Sequence, residues 1–307
     1  MLFFENYTIT NVLVFVLILV MLLFINEITR RSKSLSIIFY IAIPIIFTIF
    51  IWTNIDSSDT TSGNWFAWVK TYSALAGVIG FMALRYSKRL QKNKFMLLFP
   101  ALILSINIME AVFRDFEVFS KAGVIENGLL LQGGPWNIIN GIAGIISVLT
   151  LTGWVGIKVA NNKSKDMVWA DQLWFWVVAY GIWNMSYVYN CIPDRAFYAG
   201  VALVGVSTFA AFVGTKGVWL QHRAQTLALW AMFTLTFPNY ASTEYFSIVS
   251  THLDAPKLIL SILAIIANVG VLVYEIMTIK KTKRNPLTEE LYVGTVAYKE
   301  ILKANNL

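Results

Sequence analysis

The chain has 307 residues, of which 57% are hydrophobic, 15% aromatic and only 13% charged, and its formal charge is +7. A water-soluble domain carries roughly 25% charged residues, so too little polar surface is left to cover a globule. A soluble enzyme, a disordered chain and a nucleic-acid binder are excluded as main readings. The expected fold is all-α, a polytopic integral membrane helical bundle in a lipid bilayer.

A spanning helix needs about 20 mostly apolar residues. Nine segments qualify in chain order: 8–28, 35–53, 65–86, 95–114, 136–159, 168–192, 196–214, 224–240 and 256–279. The apolar stretch 11–25 lacks a basic start and a small-residue cleavage site, so it reads as a retained helix. The eighth span is the weakest, because Pro238 cuts it short and leaves 241–255 as a loop or amphipathic piece. Residues 1–279 form a single transmembrane domain. Residues 280–307 form a short cytoplasmic tail, too small for a core of its own.

The loops alternate in charge. Arg30, Arg31 and Lys33 follow the first span, and Asp56 and Asp59 the second. Five bases from Arg85 to Lys94 follow the third span, and Asp115, Glu117 and Glu126 with Lys121 follow the fourth. The pattern continues to Lys280, Lys281, Lys283 and Arg284. One side holds 19 of the 24 Lys and Arg, with Arg223 counted in the loop after the seventh span. Basic loops stay cytoplasmic, which predicts the N-terminus outside and the C-terminus inside. The basic excess is therefore mostly topology. Trp65, Trp68, Trp136, Trp154, Trp169 and Trp219 lie near predicted span ends, as an aromatic belt does.

A polar side chain inside a span is expensive, so it marks either function or a partner. In span four, Asn107, Glu110 and Arg114 share a face, and Glu110 and Arg114 are spaced to pair. Lys70 in span three either reaches outward or reaches Glu110. In span five, Asn137, Asn140, Gly141, Gly144 and Ser147 form one face, with the glycines permitting close helix approach. In span six, Tyr180, Asn184, Tyr187 and Cys191 form another, beside Trp183. Trp230 lies in span eight, and Ser261, Asn268 and Glu275 form a stripe on span nine. Most of these groups sit in the outer halves of four helices. They predict a polar cavity open to the outer face, because buried polar groups otherwise each need a protein partner. Gly133-Gly134-Pro135 adds a helix start near the same mouth, where backbone N–H groups could meet an anion or simply begin a helix.

Other chemistries lack their residues. One cysteine and two histidines, His222 and His252, exclude a disulfide and a histidine- or cysteine-rich metal site. The histidines lie near opposite faces, so they cannot share a haem iron. No phosphate-cradling glycine loop is present. No cofactor is expected. The last seven spans share the outside-to-inside order of seven-helix receptors and rhodopsins. The final span nevertheless has no lysine between Lys257 and Lys280 for a retinal Schiff base.

The leading expectation is a multi-pass protein of a prokaryotic cytoplasmic membrane that binds or transports a small polar or charged solute. Glu110 would be the charge-selective or proton-coupled carboxylate, with Arg114 tuning it. Asn140, Asn184 and Tyr187 would supply hydrogen bonds, Trp183 or Trp230 an apolar or cation–π wall, and Asn107 and Tyr180 would belong to the same binding site. Asn268 would extend a path inward. An enzyme acting on a lipid or apolar substrate is the alternative. A seven-helix-like receptor or accessory subunit is the third reading. A second copy or a partner subunit stays open.

Overall fold

The computed structural model describes residues 2–57, 60, 63, 65–126 and 128–307. Asp59 lies outside the described residues. The chain is all-helical apart from three two-stranded ribbons. The helices are α1 (Ile9–Arg31), α2 (Lys33–Trp52), α3 (Trp65–Tyr86), α4 (Lys94–Phe119), α5 (Pro135–Leu149), α6 (Trp174–Cys191), α7 (Phe197–Gly214), α8 (Trp219–Thr236), α9 (Asp254–Thr282) and α10 (Val296–Ala304). Six of them, α1 to α4, α7 and α9, are long and apolar enough to cross a membrane. This lipid-compatible set includes the outer helices. Leu13 of α1 and Ile266 of α9 are each 63% exposed, as side chains facing acyl chains would be.

The inner helices are held by small residues and side-chain hydrogen bonds. Helix α5 lies between α4 and α9, and α9 also packs on α6. A Cβ on Gly141 would meet the Phe116 ring at 2.5 Å, and one on Gly144 would meet Val112 at 2.5 Å. Glycine at both places lets α4 and α5 approach closely. On the other side of the bundle α3 packs on α8, and α8 packs on α7 and α1.

The predicted spans overlap the helices, but two ends are corrected. The segment 136–159 is helical only to Leu149. Fifteen residues rise about 22 Å, short of a roughly 30 Å hydrocarbon core. Gly153 then takes a left-handed conformation, φ +61°, and the chain turns into the strand Ile157–Val159. This strand pairs antiparallel with Met167–Trp169, with Ile157 opposite Trp169. The segment 168–192 therefore begins as a strand and becomes helical at Trp174. Val, Ile and Trp in short apolar runs suit either element, and hydropathy does not separate them. The belt reading is also corrected for three tryptophans, since Trp136, Trp169 and Trp219 are buried in the protein.

Residues after α9 fold back on this ribbon. Leu291, Tyr292, Tyr298 and Ile301 form a small apolar cluster with Val168, Leu173 and Val218. The Asp171 carboxylate accepts the backbone N–H groups of Leu291 and Tyr292 at 2.8 and 2.7 Å. Lys158 pairs with Glu290, and Lys216 with Glu300 at 2.7 Å.

Candidate binding cavity

Two adjoining, half-open chambers lie among α3, α4, α6, α7 and α8. The outer one has a cavity volume of about 140 Å³, and Phe66, Tyr187, Leu203, Trp230 and Tyr240 contribute to its wall. The inner one is narrower, about 40 Å³, and reaches Phe81 and Leu220. Lys70, Asn184, Arg223 and Leu227 line both, so they form the junction. On α3 the lining runs from Phe66 through Lys70 to Phe81, about 22 Å along the helix axis. On α8 it runs the opposite way, from Thr234 to Leu220.

Arg223 is the unusual group. It is 5% exposed. Its Nε donates to the Tyr180 hydroxyl at 3.3 Å and its Nη2 to Asn184 Oδ1 at 3.1 Å. Its buried Nη1 has no hydrogen-bond partner, and no carboxylate lies within 4.0 Å, among the described residues. A buried guanidinium without an anion costs several kcal/mol after relaxation. By its place after the seventh apolar segment, Arg223 is expected to be a cytoplasmic-loop charge. It lies instead one turn inside α8, and the spacing of Arg223, Leu227, Trp230 and Thr234 puts all four on one stripe. That stripe was the signal available in the sequence.

Cations outnumber carboxylates in the lining of the outer chamber. Lys70, Arg114, Arg195 and Arg223 line the outer chamber against one carboxylate, Glu126. Lys70 donates to Glu110 at 3.1 Å and to the Asn107 carbonyl at 2.9 Å. Arg114 pairs with Glu117 at 2.7 Å and Glu126 at 2.8 Å, so the expected Glu110–Arg114 pair is replaced by two other pairings. Burial alone would raise the Glu126 carboxyl. The hydrogen bonds from Lys121 and Arg114 outweigh that and hold it below its ordinary value. Arg195, whose guanidinium sits 5.2 Å over the Tyr240 ring, has no carboxylate partner among the described residues.

The expected site residues divide into groups. Arg114, Asn184, Tyr187 and Trp230 line the outer chamber. Asn107, Tyr180 and Asn184 line the inner one, where the buried Asn107 Oδ1 lacks a partner among the described residues. Glu110 stands behind Lys70. Trp183 donates from its indole to the Asn140 carbonyl at 3.0 Å, stacks on Tyr187 and meets Tyr180 at a tilt. Asn140 itself donates to Asp115 at 2.7 Å. Asp115, expected in an outer loop, is fully buried within α4. Asn268 accepts from Ser147 at 2.6 Å and donates to the Ala264 carbonyl, outside both chambers. The inner chamber lies against α3 and α8, and the Ser261–Asn268–Glu275 stripe packs into the bundle. At the helix start of α5, the Gly134 N–H is taken by Asn137 Oδ1 at 3.1 Å.

Fold and site together define an all-helical bundle with membrane-length apolar helices around a buried cationic cavity. The chain belongs to the DUF5692 family, a family of unknown function, whose model matches residues 5–304. No curated protein and no solved structure matches it.

Proposed function

We propose that this is a multi-pass protein of a bacterial cytoplasmic membrane, with its N-terminus outside, that binds a small anion with an apolar body for transport. The observation that carries this reading is Arg223, buried at the junction of two chambers without a carboxylate and with Nη1 unpartnered among the described residues. A guanidinium fork matches a carboxylate or phosphate edge and contributes charge-assisted hydrogen bonds. The aromatic and aliphatic wall suits an apolar body, as in an aromatic or branched-chain carboxylate. Glu110 and Lys70 neutralise each other, so selectivity for anions rests on Arg223. The outer chamber gives an anion held at Arg223 a route of approach, and departure past Gly77 and Phe81 requires the narrow inner chamber to widen.

Thermal unfolding of the purified chain tests this reading. Benzoate raises the midpoint by mass action, choline leaves it unchanged, and Arg223→Gln removes the benzoate response. A rise with choline and none with benzoate overturns it.

A further inference from the structure

Asp115 carries a second site, one layer behind the cavity wall. Its side chain is fully buried in α4 and has no cation within 4.0 Å among the described residues. Its Oδ1 accepts Asn137 Nδ2 at 2.9 Å and the Cys191 thiol at 3.4 Å, and its Oδ2 accepts Asn140 Nδ2 at 2.7 Å. All three contacts are neutral donors. A charged carboxylate in apolar surroundings stays costly even when hydrogen-bonded, and the usual escape is to bind a proton or a cation. The geometry separates these two. A cation needs several acceptors, and Asn137 Oδ1 is already committed to the Gly134 N–H. Of the two amide oxygens, Asn140 Oδ1 alone, buried and without a partner among the described residues, is left to join the carboxylate. A proton needs a single acceptor.

We infer that Asp115 is a binding site for an exchangeable proton, with the Asn140 amide as its two-position latch. With Asp115 charged, Asn140 presents N–H to Oδ2. When a proton from water binds Oδ2, the amide turns and its oxygen accepts the new O–H. The 2.7 Å separation fits an O–H···O contact as well as a short N–H···O one, and the two ends of an amide are nearly equal in shape. Release runs the steps backwards and returns the proton to water. Cys191 on α6 touches Asp115 directly and Tyr187 lies within its electrostatic reach; on α4, Arg114 precedes it, Glu110 acts on Tyr187 and Glu117 on Cys191, while α5 offers it the amides of Asn137 and Asn140. Arg114 is engaged by Glu117 and Glu126, and so does not neutralise Asp115.

The site adjoins the cavity through the backbone. Arg114 and Ile192, next in sequence to Asp115 and Cys191, line the outer chamber. An anion seated there favours the protonated form of Asp115 by simple repulsion. This coupling rests on the proposed anion site, whereas the proton site itself does not.

Infrared spectroscopy of the full chain in phosphatidylcholine vesicles tests both. The expected result is a protonated-carboxyl C=O band that grows reversibly on acidification and is missing in Asp115→Asn. Asp115→Glu returns it at a displaced frequency, which supplies the assignment even where the asparagine variant folds poorly. Benzoate strengthens the band in the wild type and leaves it unchanged in Arg223→Gln, which keeps the band itself. The proton site is overturned if no pH-dependent band separates wild type from both variants, or if sodium removes the band at fixed pH. A band present but indifferent to benzoate, in a protein that binds benzoate, overturns the coupling alone.

Discussion

Helices α8 and α9 make opposite use of their residues. Helix α9 has 29 residues and ample apolar length, and it exposes Ile262, Ile266, Val273 and Met277 along an outer face. Helix α8 has 18 residues and falls outside the six lipid-compatible helices, yet Gln221, His222, Arg223, Gln225 and Thr226 are all buried in it. Hydropathy thus finds the helices that face lipid. Buried polar groups collect on a helix that hydropathy ranks low, because an inner helix trades apolar length for hydrogen bonds to its neighbours. Asn26 of α1 reaches His222 at 2.9 Å in the same way, and Gln221 reaches Asp166 at 3.0 Å.

The largest effect is expected where inner helices touch. Gly144→Val sets a side chain against Val112 and the Trp183 indole. It should cost about 3 kcal/mol or more, the upper range of overpacking, read as loss of monodisperse protein and a lower unfolding midpoint. A substitution on α8 should go the other way. Arg223→Met removes an unpaired buried charge, and it should stabilise the ligand-free protein by about 1–3 kcal/mol while abolishing anion binding. Destabilisation together with retained binding would make Arg223 a structural residue and erase the contrast between the two helices.

A smaller effect is expected at the rim. The folded-state value of Glu126 is depressed by Lys121 and Arg114. Its contribution is therefore present above the unfolded carboxylate value, about 4.3, and is lost as pH falls through the lower folded value. Pepsin cleavage of the 120–131 segment should accelerate in that acid window. Glu126→Gln should loosen the same segment at neutral pH, read with a neutral protease. The smallest effect belongs to α9. Ile266→Ala on its exposed face should change stability by less than about 0.5 kcal/mol in detergent.

Much of the fold was legible because long apolar runs leave few alternatives to helices. The ends were harder. Leu149, Ile157 and Val168 are equally apolar, although the first ends a helix and the others lie in a ribbon, and tertiary pairing decides between them. Among the residues that line the candidate cavity, Tyr180, Asn184 and Tyr187 share a face by helical spacing alone, and Trp230 stands out by its place in the eighth apolar segment. Arg223 was not, because a cation near a span end looks like a topological anchor until its depth in the helix is known. Asp115 was missed for the matching reason. The amides of Asn137 and Asn140 that draw it inward lie 22 and 25 residues further along the chain.

The central claim is that the cavity binds anions through Arg223, and equilibrium dialysis of radiolabelled benzoate against wild type and Arg223→Gln measures it most directly. A charge-assisted hydrogen bond contributes about 1.5–3 kcal/mol, so the account predicts saturable binding weakened about 10- to 100-fold by the substitution. Equal binding by the two proteins would contradict it.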